Sequence, residues 1–208
     1  MTRELTIWNR GFAAIAGYLL AMTTITVGHG LGWPTIHDVA LTPRLFAEGK
    51  IWLLAASGFL ADTSSTWSLL LSVVGVAVLA VYLGTRRFVL AAVVGHVGAT
   101  VLTYAGIGAL LLAHIHAAAR LIDEPDYGIS CVLAGALGAA AAQGAREPSR
   151  RVRLAVTSGA GLALAAMTIN ATGLALPEHV VAFLLGSLLA CRGTSPALSA
   201  CATRLRLR

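Results

Sequence analysis

The stretch 125-PDYGISCVLAGALG-138 decides how this chain is read. A polar, turn-forming opening runs directly into a long apolar segment rich in Gly and Ala, and Ser130 stands at the junction. Either Ser130 is a nucleophile, or it is a small residue that lets two membrane helices touch. The surrounding chain has to separate these readings.

The chain has 208 residues, 57% of them hydrophobic and 12% charged, with a mean hydropathy of +0.80. Soluble domains carry about 25% charged residues. The composition therefore reads as a polytopic all-α membrane protein. Basic residues number 15 against 9 acidic. That balance requires no nucleic acid, because arginine-rich loops are how membrane helices are oriented. The apolar run from Gly11 to Val27 reads as a first membrane helix rather than a cleaved signal peptide. Cys131, Cys191 and Cys201 have neither disulfide nor metal-ligand spacing. No cofactor and no metal are expected.

A spanning helix needs about 20 mostly apolar residues. Six segments qualify: 9–29, 66–84, 88–112, 127–143, 153–173 and 177–192. The connection 30–65 contains the apolar piece IWLLAASGFL, which is short for a span and is expected to lie in the interface or to re-enter. Residues 1–192 then form one membrane domain, followed by a basic cytoplasmic tail, 193–208. In a six-helix arrangement, Arg3, Arg10, Arg86, Arg87, Arg146, Arg150, Arg151, Arg153, Arg192, Arg204, Arg206 and Arg208 fall on one side. Arg44, Lys50 and Arg120 fall on the other, with Asp123, Glu124, Asp126 and Glu178. The asymmetry places both termini in the cytoplasm of a bacterial inner membrane.

Helices four and six then run in the same direction, with Ser130 and His179 each in a first turn near the outer face. An imidazole at matched depth can take the proton that makes a serine nucleophilic. Ala134 and Gly138 follow Ser130 at helical steps, and Ala182 and Gly186 follow His179. Small residues at such steps let helix backbones approach in lipid. The same facts fit plain helix contacts, but an intramembrane histidine is a functional hypothesis by default.

GISCVLAGALG at 128–138 resembles the GxSG-containing helix of the rhomboid intramembrane serine proteases. EHVVAFLLGSLLA at 178–190 resembles their final helix, with pattern AHxxGxxxG. GHVGAT at 95–100, together with DYGIS, resembles a rhomboid-like bacterial subgroup. The six-helix count and long first loop are similar too, so the resemblance spans roughly 9–192. It implies a rhomboid-type bundle and a dyad in which Ser130 attacks a peptide carbonyl and His179 takes and returns the proton. The implied partners are membrane lipid and a transmembrane protein substrate.

The chain departs from that pattern at several places. Cys131 replaces the glycine after the serine, while Gly128 is kept. Glu178 replaces the alanine before the histidine, and Ala134 stands where an aromatic residue often stacks on it. The family's HxxxN in its second helix, which helps hold the oxyanion, is missing. That helix here offers only hydroxyls (Ser65, Ser68, Ser72). An oxyanion donor is worth about 10²–10³ in turnover. The replacements on hand are the Ser130 N–H, near a helix N-terminus, His96 and Asn170. His96 reads alternatively as a helix-contact histidine bonded to a backbone carbonyl, and Asn170 as a helix cap. Asp126 and Glu178 are expected to be interfacial charges at helix starts, where the dipole favours anions. His114 and His116 read as solvated loop residues, and His29 and His37 as residues at the membrane surface. Two functions stay open: an endopeptidase, and an inactive rhomboid-like protein that binds membrane clients. A transporter finds little support, since no helix places a charge near mid-membrane.

Overall fold

The structure, a computed structural model, describes residues 2–61, 66–169, 171 and 173–192. The tail 193–208, Asn170 and Ser65 lie outside them. The described residues are helical and contain no strand, only an isolated bridge between Leu41 and Asp126. The long helices are α1 (Thr2–Gly30), α5 (Thr66–Leu83), α6 (Thr85–Leu112), α7 (Ile129–Gly144), α8 (Arg150–Ile169) and α9 (Ala175–Arg192). Short helices α2 (Ile36–Val39), α3 (Pro43–Ala47) and α4 (Trp52–Ser57) occupy the first connection, and a 3₁₀ turn spans His116–Leu121. Each apolar run read from the sequence falls largely on one of these long helices, and the run 153–173 is helical to Ile169. Helices α1, α5, α6 and α8 are long and apolar enough to cross a membrane, while the apolar parts of α7 and α9 are shorter.

Helix α7 is the centre. Ile129, Cys131, Val132, Ala134, Gly135, Ala136, Gly138, Ala139 and Ala140 are all buried, and from Ile129 to Ala141 only the stripe of Ser130, Leu133, Leu137 and Ala141 is half-buried. A helix that is apolar all round belongs inside a bundle, and α7 packs against α5, α6, α8 and α9. Its small residues are what make that close packing possible. A Cβ on Gly95 of α6 would stand 2.7 Å from the Gly135 Cα. A Cβ on Gly138 would stand 2.8 Å from the Phe183 carbonyl carbon of α9. Both approaches are tighter than the ~3.5–4.0 Å of ordinary carbon contacts. The turn from α5 to α6 needs a single residue, Gly84, whose φ of 76° suits glycine.

The first connection is tied down rather than loose. The Tyr18 hydroxyl donates to the Gly58 carbonyl at 2.7 Å, and Ala61 N–H donates to Thr26 Oγ1 at 3.0 Å. Phe46 meets Tyr104 edge-on at 5.7 Å. The IWLLAASGFL piece becomes α4, with Leu53, Ser57 and Leu60 buried and Ile51 and Trp52 exposed. It lies one face inward and does not span. Arg44 forms an ion pair with Asp123, fastening α3 to the segment before α7. That guanidinium holds the exposed Asp123 carboxyl below the usual carboxylate range.

Candidate functional site

Helices α7 and α9 are parallel, because their contacts advance together. Cys131 meets Glu178, Gly135 meets Gly186, and Gly138 meets Phe183 and Ser187. A helix turns about 100° per residue. Ser130 is one step before Cys131, and His179 is one step after Glu178. On parallel helices facing each other, those two steps rotate both side chains onto the same flank of the pair.

The structure thus brings Ser130 and His179 to one side without joining them. The Ser130 hydroxyl donates to the Tyr127 carbonyl at 3.0 Å. His179 is buried, and neither ring nitrogen has a hydrogen-bond partner. The Met167 backbone of α8 stands close to the ring without completing a bond. A buried imidazole with two unused nitrogens is costly, since buried polar groups are normally paired. The residues expected to bring the two helices together, Ala134, Gly138, Ala182 and Gly186, are all buried.

His96, on α6, packs against the start of α7. Its Nε2 is 2.7 Å from the Leu54 carbonyl and 3.3 Å from Ser57 Oγ. An imidazole nitrogen facing a carbonyl at that distance is the N–H donor, so Nε2 carries the proton. Nδ1 is buried with no partner. The ring packs on Gly128, where a Cβ would stand 2.8 Å from both ring nitrogens. The histidine therefore requires that glycine and clamps α4 to the α7 N-terminus.

The expectation that Asp126 and Glu178 are interfacial charges is overturned. Asp126 is 4% exposed and Glu178 1% exposed. With Cys131 they form a buried cluster whose ligand atoms lie within 4.8 Å of one another. Cys131 Sγ lies 3.9 Å from Glu178 Oε2, and the Thr100 hydroxyl donates to Asp126 Oδ2 at 3.2 Å. Long-range backbone pairing causes the burial: Asp126 N–H donates to the Leu41 carbonyl at 2.8 Å, drawing the segment under the first connection. Burial pushes the Asp126 carboxyl above its usual range. Glu124 also turns inward, its Oε1 accepting from Leu174 N–H at 3.3 Å next to Gly173. Hydropathy could not reveal the cluster. The available hint was Glu178, a carboxylate beside an intramembrane histidine. His114 and His116 are exposed, as expected of loop residues.

An apolar groove of about 540 Å³ lies elsewhere, between α3 and α6, lined by Arg44, Phe46, Val101, Tyr104, Ile107 and Leu111. Compared with known proteins, the chain matches no protein-family model, no curated protein and no solved structure.

Proposed function

We propose that this chain is a rhomboid-like intramembrane serine endopeptidase that cuts transmembrane substrates near the outer leaflet. Six helices (α1, α5, α6, α7, α8 and α9) cross a bacterial inner membrane in this reading, with both termini cytoplasmic. The observation that carries it is the placement of Ser130 and His179 on one flank of the parallel α7/α9 pair, with both imidazole nitrogens unspent. In this reading the Ser130 hydroxyl leaves the Tyr127 carbonyl and donates to His179 instead. His179 takes that proton as Ser130 Oγ bonds to the scissile carbonyl carbon. It then returns the proton to the leaving amine as the C–N bond breaks. Water, deprotonated by the same imidazole, hydrolyses the acyl-serine. Helix α8 has one buried side chain, Ala160, and in this reading it is the helix that moves to admit a substrate.

A second reading, a client-binding protein without catalysis, is favoured by one observation. Ser130 is bonded to the Tyr127 carbonyl just before its own helix, and α5 supplies no imidazole or amide for an oxyanion. Covalent labelling of the full chain in detergent by a fluorophosphonate separates the readings. The protease requires labelling that is lost in both Ser130→Ala and His179→Ala. Labelling that survives Ser130→Ala removes Ser130 as nucleophile. A Ser130→Ala chain that still replaces the native gene fully in cells supports the binding protein.

A further inference from the structure

We propose that Asp126, Cys131 and Glu178 form a binding site for one borderline divalent cation of the Zn²⁺ class. The three come from separate places: the segment before α7, the first turn of α7 and the first turn of α9. Two carboxyls and a thiol thus converge where the protein is closed to water. One further observation points to a missing positive partner. Glu178 is 1% exposed, its Oε1 is buried with no protein donor, and the side chain it faces is another carboxyl, Asp126.

The donor set selects the ion. Calcium and magnesium take six or more oxygens, or several waters. Zinc takes four ligands drawn from sulfur, nitrogen and carboxylate oxygen. With Zn–S near 2.3 Å and Zn–O near 2.1 Å, tetrahedral ligands stand about 3.6 Å apart. Cys131 Sγ and Glu178 Oε2, at 3.9 Å, need to close by only a few tenths of an ångström. Asp126 is already oriented by the Thr100 hydroxyl and the Leu41 carbonyl, the kind of outer support that aligns metal ligands. Binding releases the thiol proton and any carboxyl proton to solvent. The ion then ties the starts of α7 and α9 to the segment between them. This site does not depend on the serine reaction.

The test uses the full chain with Cys191→Ser and Cys201→Ser, which leaves Cys131 as the one thiol. The protein is stripped with a chelator in detergent and titrated with Co²⁺ alone. The expected result is one Co²⁺ per chain with an intense near-ultraviolet thiolate-to-metal band, displaced by Zn²⁺. Cys131→Ser abolishes the band, and Glu178→Gln weakens binding at least tenfold. No band in the parent protein overturns the proposal, and that arm needs no substitution at the cluster. Equal binding by Glu178→Gln also overturns it. So does a protonated-carboxyl infrared band unchanged by Zn²⁺, which would mean that the acids simply share a proton.

Discussion

Replacing Gly186 by alanine probes the contact on which the whole site depends. A Cβ there would overlap the Gly135 carbonyl oxygen, 2.7 Å from the carbonyl carbon and 3.0 Å from the Cα. Carbon atoms in contact stand about 3.5–4.0 Å apart, so α7 and α9 must part by roughly 1 Å. The obstacle is backbone, which cannot rotate away as a side chain would. Overpacking of this kind costs about 1–3 kcal/mol. Parting the helices also separates Ser130 from His179, and a misplacement of about 1 Å can cost on the order of 10² in rate. The assay is the unfolding midpoint in mixed micelles, together with the rate of fluorophosphonate labelling. Gly159→Ala is the control, since a Cβ there meets nothing within 4 Å. It should shift stability by no more than about 1 kcal/mol, the scale of helix propensity. If Gly186→Ala matches Gly159→Ala in both measurements, close α7/α9 packing is not what sets the site.

Gly128→Ala would drive a methyl into the His96 ring and break its bond to Leu54, so it should destabilise by about 1–3 kcal/mol in the same micelle titration. A neutral result would place His96 elsewhere. Burial raises the folded Asp126 value, so the stability tied to its protonated form is complete below about pH 4 and is lost as pH rises through the folded value. Metal-stripped protein should therefore lose stability as pH rises above the ordinary carboxylate range, and Asp126→Asn should flatten that slope; an unchanged slope contradicts it. Asp123 has the opposite sign. Its lowered value gives stability that is full above about pH 4 and lost only on acidification through the folded value. Being exposed, it should matter little, and Arg44→Ala should show its small effect only at low salt. Tyr18→Phe deletes the bond to Gly58 and should cost about 1 kcal/mol. A Tyr18→Phe midpoint equal to the native one would show that Gly58 is held by packing alone.

The helices were legible in the sequence because hydropathy is a local property: twenty apolar residues in a row leave the backbone no alternative to bonding itself. The runs read at 66–84 and 88–112 are α5 and α6, separated by one glycine. The small residues around Ser130 and His179 were legible for the same reason, since Gly and Ala at helical steps mark where backbones approach. The glycine geometry adds a third helix to that contact, because Gly95 of α6 meets Gly135 on the same stretch of α7. What only the tertiary structure decided is where the charges went. Asp126 reads as a surface residue until Leu41, far back in the chain, pairs with its backbone and draws it inward. Glu178 reads as a helix-start acid until Cys131 faces it from a parallel helix. Leu54 and Ser57 read as an apolar loop until they hold the proton of His96. Each of these pairings joins residues about 40 or more positions apart. Local composition carries no record of such contacts, because they exist only once the chain has closed on itself.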